Sequence, residues 1–313
     1  MHILLFLLAL VMLMGCRSGN ENPAAKTANG NGGFHFFVLG DWGRRGKISQ
    51  WAVATQMMDR ARQYPPAFII TTGDNFYQQG VRSISDPHWK ESFTDIYKDL
   101  TRTTNWYPVL GNHDYQGRGN PHAQIEYQQV NPRWRLQHFY YTTVTTLPDN
   151  KRVRFVFIDT SPFCTLYYTS RRYPYITRQD TAKQKRWIDS TLANAKEEWK
   201  IVVGHHPVYS GGNEHGNTAE LVAGLKPMLE KYKVQAYLCG HEHNLQHLQP
   251  KGSYTDYIVS GAGSDLYSVG SLPATKFGRA VPGFADITFR NDSMYLQFID
   301  KDGHLIYSYA RGR

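Results

Sequence analysis

The chain has 313 residues, of which 41% are hydrophobic and 14% aromatic, and its formal net charge is +9 at pH 7. This composition excludes a largely disordered chain, and the length allows one large domain or two modest ones with an ample core. The positive charge suits an anionic partner such as phosphate, nucleic acid or an acidic membrane surface, although a basic secreted protein would carry it as well.

The N-terminus is typical of a targeting segment. Ile3 to Met14 is an apolar run that is too short to span a bilayer and matches the hydrophobic region of a signal peptide. The run ends in Leu13-Met14-Gly15-Cys16, which resembles the lipobox of bacterial lipoproteins. We therefore expect a signal peptide over 1–15, a flexible tether over 16–33 and one folded domain over 34–313. The protein would be exported and lipid-anchored through Cys16, facing the periplasm or exterior, with plain secretion as the alternative.

The anchor can be tested at Cys16, because Cys16→Ser removes the thiol that would carry the lipid. We expect the variant to move from the membrane to the soluble fraction after signal processing, as measured by cell fractionation and immunoblotting. Cys164→Ser, outside the targeting segment, is the matched control and should stay with the membrane. Unchanged membrane association of the Cys16 variant would contradict lipidation.

From Phe34 onward, short apolar strands alternate with amphipathic helices. The predicted strands cover Phe36 to Leu39, Ala67 to Thr72, Trp106 to Leu110, Val153 to Ile158, Lys200 to Val203 and Val234 to Leu238. The predicted helices cover Lys47 to Arg62, Asp86 to Leu100, Thr181 to Ala195 and a stretch with Leu221, Leu225, Met228 and Leu229. The first helix places Ile48, Trp51, Ala52, Thr55 and Met58 on one face. Only alternating strands follow between Tyr254 and Tyr309, so the order predicts an α/β domain completed by antiparallel strands.

Five of the strands are followed at once by side chains that can bind a metal ion. These are Asp41, Asp74, Asn112 with His113, His205 with His206, and His241 with His243. Each residue alone is more often a turn or core residue, but open α/β sheets bind ligands beyond the carboxyl ends of their strands, so the coincidence favours one shared site. Tyr77 can turn its phenol oxygen toward the ion that Asp74 binds. Oxygen and nitrogen donors without thiolates favour iron, zinc or manganese.

Five motifs resemble those of the purple acid phosphatases, in particular the small, mammalian-type tartrate-resistant form. They are Gly40-Asp41, Gly73-Asp74-Asn75-Phe76-Tyr77, Gly111-Asn112-His113-Asp114, Val202-Val203-Gly204-His205 and Gly240-His241-Glu242-His243. The resemblance extends from about Phe34 to Gly263. It implies the α/β (α+β) fold of the calcineurin-like metallophosphoesterases, a four-layer αββα sandwich of two mixed sheets flanked by helices, with 34–313 as a single catalytic domain.

The resemblance also implies a dinuclear centre. Asp41, Tyr77 and His243 would hold Fe³⁺, and Asp74 would bridge to a second ion. That second ion would be Fe²⁺, Zn²⁺ or Mn²⁺, held by a set of three residues: Asn112, His205 and His241.

The implied activity is that of an acid phosphatase, in which a metal-bound hydroxide attacks a phosphate monoester. Two carboxylates, one phenolate and the hydroxide leave roughly +1 on an Fe³⁺–M²⁺ pair, and this residual charge attracts a phosphate dianion. His113 and His215 match family histidines that assist the leaving group, although His215 is equally well explained as an exposed loop residue. His206 has no predicted role.

Two alternatives come from other functional classes. One is a dinuclear phosphodiesterase or nucleotidase, and the other is a non-catalytic, lipid-anchored protein that binds phosphate. For the favoured reading, the expected partners are small phosphate monoesters, with phosphoproteins or nucleotides as further candidates, and no nucleic acid.

The sequence departs from the mammalian pattern in the segment from Cys164 to Asp180. The family disulfide would join the Cys164 region to the position of Glu220, so we expect no disulfide between the remaining Cys164 and Cys239. The segment aligns with a loop that overhangs the active site in relatives. Its Arg171 and Arg172 either select anionic substrates or belong to a solvated loop.

Overall fold

The structure is a computed structural model that describes residues 33–313, so the predicted signal peptide, Cys16 and nearly all of the tether lie outside the described residues. Two β-sheets form its centre. Their strands are β1 (Phe34–Leu39), β2 (Phe68–Thr71), β3 (Asn105–Pro108), β4 (Tyr141–Thr146), β5 (Arg152–Phe157), β6 (Trp199–Val203), β7 (Ala236–Cys239), β8 (Leu245–Leu248), β9 (Asp256–Ser260), β10 (Thr275–Arg279), β11 (Gly283–Arg290), β12 (Ser293–Asp300) and β13 (Leu305–Gly312).

The first sheet has the strand order β13-β12-β11-β1-β2-β3. Strands β1, β2 and β3 run parallel, whereas β11 is antiparallel to β1 and continues into the β11–β12–β13 meander. All four residues of β2 are buried, as expected for a parallel strand covered on both faces. Edge strand β13 instead consists of exposed and partly buried positions, apart from buried Arg311.

The second sheet has the order β10-β8-β9-β7-β6-β5-β4. Its central strands β5, β6, β7 and β9 are parallel, and the outer strands β4, β8 and β10 are antiparallel to their neighbours. Both sheets are therefore mixed: the parallel strands lie at one end of the first sheet and in the middle of the second.

Helices cover the outer faces of the sheets. They are α1 (Gln50–Gln63), α2 (Pro87–Trp89), α3 (Lys98–Thr103), α4 (Pro121–Glu126), α5 (Thr181–Ala193), α6 (Ala219–Gly224) and α7 (Lys226–Lys231). Aromatic rings fill the space between the sheets, where Phe36 of β1 meets Phe155 of β5 edge to face at 5.3 Å. Ile188 of α5 and Leu221 of α6 pack in a second cluster with Val202 of β6. The predicted sandwich of two mixed sheets flanked by helices is confirmed.

The face of α1 that carries Ile48, Trp51 and Met58 is not the face that is most deeply buried. Ile48 precedes the helix with φ of 58°, in the left-handed region, and is 62% exposed, while Trp51 is 44% exposed. The buried face contains Val53, Met57 and Gln50. Gln50 is buried because its amide accepts from the backbone of the preceding loop and donates to the carbonyl of Ser92 at 2.8 Å. Hydropathy cannot reveal a polar residue that is buried for its hydrogen bonds.

Several other elements differ from the predictions. The helix predicted from Asp86 to Leu100 is broken into α2, a π-helical turn over Lys90–Thr94, and α3. The helix carrying Leu221 to Leu229 is divided into α6 and α7, and Pro227, which lacks a backbone N–H, lies at the start of α7. Strands β4 and β8 and helix α4 were not predicted. No helix within residues 33–313 is long and apolar enough to cross a membrane.

Glu220, at the position where the family resemblance implies a disulfide partner, is hydrogen-bonded to Thr165. The Glu220 carboxylate accepts from the backbone N–H of Thr165 at 2.9 Å and from its hydroxyl at 2.6 Å. Cys164 and Cys239 are both buried, free thiols. In the described part of the chain, polar contacts thus join α6 to the segment after Cys164.

Candidate metal centre

The turns after the parallel strands hold three candidate ligands in an unusual backbone conformation. Asp41 has φ of 59°, Asp74 of 49° and His241 of 69°. Residues other than glycine rarely adopt this left-handed region, and such residues cluster at functional sites. The turns direct these side chains into the space between the ends of the two sheets.

Glycines before the ligands let the turns approach one another closely. A Cβ at Gly111 would lie 2.2 Å from Oδ1 of Asp74, and a Cβ at Gly240 would lie 2.4 Å from Oδ2 of Asp41. Any larger residue at either position would displace a carboxylate. The recurring glycine before each ligand therefore reflects packing of one turn against another.

The first group of donor atoms surrounds the phenol oxygen of Tyr77. It lies 3.0 Å from Oδ1 of Asp41, 2.9 Å from Oδ2 of Asp74 and 2.9 Å from Nε2 of His243. The phenol has one hydrogen to donate, so it cannot satisfy all three neighbours at once. A cation between these atoms would satisfy the whole group.

The second group surrounds Nε2 of His205. This atom lies 3.0 Å from Oδ1 of Asn112, 3.1 Å from Nδ1 of His241 and 3.6 Å from Oδ2 of Asp74. Nδ1 of His205 lies 2.9 Å from the carbonyl of Thr72 and donates to it, so in the neutral ring Nε2 carries the lone pair that a metal ion would bind. Two ligand atoms that bind one ion at about 2.0–2.2 Å, with a right angle between the two bonds, lie about 3 Å apart. The donor atoms around Nε2 of His205 have this spacing.

Oδ2 of Asp74 belongs to both groups, and the other carboxylate oxygens are held by the backbone. Oδ1 of Asp74 accepts from the N–H of His113 at 2.8 Å. Oδ2 of Asp41 accepts from the N–H of His241 at 2.9 Å. These contacts orient the carboxylates, as partners of metal ligands do. The residues present therefore fit a dinuclear centre with Asp74 at its middle.

The electrostatics of the site also favour bound cations. Burial raises the pKa of Asp41 to about 7. Burial also raises the pKa of Tyr77 well above its usual value, with the charges of Asp41 and Asp74 adding to the effect. Burial also acts to raise the pKa of Asp74, but His205 and His113 outweigh this effect and hold the pKa below its usual value. A cation would favour the charged forms of all three groups.

His113 lies at the mouth of this centre. Its Nδ1 donates to the carbonyl of Gln78 at 2.8 Å, and its Nε2 lies 4.0 Å from Oδ2 of Asp74. The ring is partly exposed and lies 4.6 Å from that of Tyr77.

His215 comes from a loop and stacks on His241, with ring centroids 4.0 Å apart. The carboxylate of Glu242 accepts from the backbone N–H of His215 at 3.0 Å and of Gly216 at 2.6 Å, and so holds this loop in place. All nine side chains predicted for the site are thus brought together. Their individual roles stay predictions.

His206 follows a strand end in the sequence but had no predicted role, and the structure places it beside the site. It is buried between Thr160, whose hydroxyl lies 2.8 Å from Nδ1, and Tyr167, whose hydroxyl lies 2.7 Å from Nε2. Its ring lies 4.4 Å from that of His241. His206 therefore links the 164–180 segment to a candidate metal ligand. Its position directly after His205 was the only available signal.

Two further residues flank the first donor group. The guanidinium of Arg44 lies 3.7 Å from the centre of the Tyr77 ring, and its Nε donates to Ser264 at 3.1 Å. Tyr267 stacks on His243 with ring centroids 3.9 Å apart. Neither contact joins residues close in sequence, so neither was predicted.

Comparison with known proteins gives the family. The calcineurin-like phosphoesterase family matches residues 34–245. Purple acid phosphatase 17 of Arabidopsis thaliana is 33% identical over 309 residues, covering 95% of this chain and 89% of that protein. Tartrate-resistant acid phosphatase type 5 of Oryctolagus cuniculus is 35% identical over 294 residues, covering 89% and 88%. The solved structure of GAP50, the anchor in the inner membrane complex of Plasmodium, has a TM-score of 0.76 at 27% identity, covering 90% and 89%.

The fold and the two donor groups define a dinuclear metallophosphoesterase. At this identity and coverage, the chain belongs to the purple acid phosphatase family of the calcineurin-like phosphoesterases. The family resemblance predicted from the five motifs is confirmed.

Asp74→Asn tests the shared oxygen, because it keeps the shape of the side chain and removes its charge. We expect metal content and phosphatase activity to fall together, with activity reduced about 100-fold or more. Metal analysis by mass spectrometry and circular dichroism are the measurements. Asp302→Asn, on the exposed β12–β13 turn, is the control and should retain both. A folded Asp74 variant with full metal content and turnover would show that this oxygen is not shared.

Proposed function

We propose that this acid phosphatase hydrolyses phosphate monoesters at an Fe(III)–M(II) centre. Membership of the family makes the chain a phosphoric monoester hydrolase with a dinuclear metal centre. The observation that carries the finer proposal is the asymmetry of the two donor groups around the shared oxygen of Asp74. One contains two carboxylates and a phenol, and the other contains one carboxylate with neutral amide and imidazole donors.

The asymmetry supports ions of different charge. Asp41, Asp74 and Tyr77 would bring three negative charges to the first position, which suits Fe³⁺ with His243 as a fourth ligand. Asn112, His205 and His241 add no charge to the second position, which suits a divalent ion. When bound, the two ions supply Lewis acidity and lower the pKa of water near the phosphoryl group.

The chain's own residues act on the leaving group. The Nδ1–H of His113 is committed to the Gln78 carbonyl, so Nε2 is free to exchange a proton at the mouth of the site. We infer that a proton on Nε2 passes to the departing alkoxide oxygen. His215 stacks on His241 and so lies beside the second donor group. From that side it would contact the phosphoryl oxygens or the leaving group.

The comparison of a monoester with a diester tests the function. We expect p-nitrophenyl phosphate to be hydrolysed at acidic pH and its bis-ester at least about tenfold more slowly. With an alkyl monoester such as glycerol 2-phosphate, whose alkoxide needs a proton, His113→Ala should lower turnover about 100-fold at unchanged metal content, with exposed His138→Ala as the control. Preference for the bis-ester would indicate a phosphodiesterase. Phosphate binding without turnover of either substrate would indicate a binding protein.

Tyr77→Phe tests the ferric ion, because phenolate bound to Fe³⁺ gives a visible charge-transfer band. We expect the purified wild type to be pink to purple and the variant to be colourless with a higher iron reduction potential, because it lacks one negative ligand. The ring contacts of Tyr77 remain, so the variant should fold. Visible spectra at matched iron content are the measurement. An iron-loaded wild type without the band, or a variant that keeps it, would contradict the assignment.

We further propose that the protein is exported and lipid-anchored, supported by the apolar N-terminal run and the lipobox-like Leu13 to Cys16. An anchored phosphatase of this kind would act on phosphate esters outside the cytoplasm.

A further inference from the structure

The chain enters the folded domain at the end of the molecule opposite the metal centre. Gly33 directly precedes β1, and the candidate ligand Asp41 follows the same strand. A strand rises about 3.3 Å per residue, so β1 alone separates these two residues by about 20 Å. The segment between Cys16 and Gly33 therefore joins the domain far from both donor groups.

Turns from both sheets surround this entry point. Gly33 lines a cavity of about 190 Å³ together with residues of the β4–β5 turn and of the β11–β12 turn. Nζ of Lys151 joins the two turns, because it lies 2.7 Å from a carboxylate oxygen of Asp149 and 2.7 Å from one of Asp292. The backbone N–H of Arg313 donates to the carbonyl of Asp292 at 3.2 Å. Both sheets thus contribute to one surface around Gly33.

Basic side chains outnumber acidic ones on this surface, which we call the basic end. Strands β5, β6 and β7 begin there and lead toward the metal centre. The basic residues of the basic end are Lys151, Arg152, Lys196, Lys200, Lys233, Arg290 and Arg313. Its acidic residues are Asp149, Glu197, Glu198 and Asp292.

The acidic residues of the basic end do not neutralise its most exposed cations. Glu197 is buried and accepts from Nε of Arg154 at 2.7 Å and from Nη2 at 2.8 Å. The other ion pairs of this surface use Lys151 and Arg152. Within residues 33–313, the exposed basic side chains of this surface that form no ion pair are Lys196, Lys233, Arg290 and Arg313. Their charge is available to an anionic partner.

An exposed aromatic side chain lies at the same end of the first sheet. Tyr64 is 57% exposed and connects α1 to β2. Three residues later, the N–H of Ala67 donates to the carbonyl of His35 in β1 at 2.9 Å, so this connection runs beside the entry point of the chain. Exposed tyrosine and unpaired basic side chains are the residues that proteins use at the headgroup level of a membrane.

We propose that the basic end docks on an acidic phospholipid surface and turns the metal centre toward the aqueous side. The choice of a membrane as the partner rests on the proposed lipid anchor at Cys16. Residues 17–32 connect Cys16 to Gly33, and a chain of this length spans at most about 55 Å. The anchor would therefore keep the basic end close to the membrane, where its charge adds to the affinity that the lipid supplies.

Vesicle binding by the Cys16→Ser protein tests the contribution of charge, because this variant lacks the thiol that would carry the lipid. At low ionic strength we expect it to sediment with phosphatidylcholine vesicles that contain phosphatidylglycerol, and not with vesicles of phosphatidylcholine alone. Added salt should release it, since salt screens these charges. Combining Lys196→Gln, Lys233→Gln and Arg290→Gln in this background should weaken binding about tenfold or more.

The matched control removes the same charge near the metal centre. Lys47→Gln, Arg118→Gln and Arg279→Gln alter exposed residues that form no ion pair in the described part of the chain, and this triple variant should bind vesicles as its parent does. Circular dichroism should show both triple variants folded. Equal losses in the two variants would reduce the effect to general attraction and overturn the docking surface, as would failure of the parent to bind anionic vesicles.

Acetylation of lysines, measured by mass spectrometry, tests the orientation. On anionic vesicles we expect Lys196 and Lys233 to be protected relative to the free protein, whereas Lys47 should react equally in both. Equal protection of all three would overturn the orientation. Binding to duplex DNA as tight as binding to vesicles, and equally weakened by the basic-end variant, would assign this surface to a soluble polyanion and overturn the membrane as its partner. Neither readout uses turnover or lipidation, so the proposed phosphatase activity and the anchor are tested separately.

Discussion

Crowding of lone pairs is the constraint on which the site depends. Around Tyr77 and around Nε2 of His205, oxygen and nitrogen donors lie about 3 Å apart with too few hydrogens to share. Without cations, this arrangement would be costly in a buried site. The left-handed turns at Asp41, Asp74 and His241 and the glycines beside them follow from the same need. The strain at these three ligand residues therefore lies where the ions would offset it.

Each of the two sheets supplies part of the site. Strands β1, β2 and β3 of the first sheet lead to Asp41, Asp74 and Asn112, whereas β6 and β7 of the second lead to His205 and His241. Backbone contacts between the sheets fix their edges, including the bond from the N–H of Gly263 to the carbonyl of Gly40 at 3.0 Å. The site thus depends on the packing of the two sheets, and loops around it are free to differ in substrate preference.

The 164–180 segment illustrates how such a loop is held without a covalent bond. Glu220 bonds to Thr165, Tyr167 to His206, and Gln179 to Tyr115, so polar contacts at several points restrain it. Hydrogen bonds to a carboxylate do not depend on the redox state of the compartment, unlike a disulfide. The similarity to GAP50 shows that this architecture also occurs in a protein described as an anchor in Plasmodium. The fold alone therefore does not define the activity, which depends on the individual loops and ligands.

The sequence by itself determined most of the strands, the family and the set of side chains at the strand ends, because apolar runs and the glycine–ligand turns are local patterns. Only the tertiary structure decided which residues support that set. The burial of Gln50 and the link from His206 to Tyr167 join residues distant in sequence. These are polar contacts made in three dimensions, and they leave no periodic signal, because the hydrogen bonds that bury a polar side chain come from whichever segment the fold places beside it.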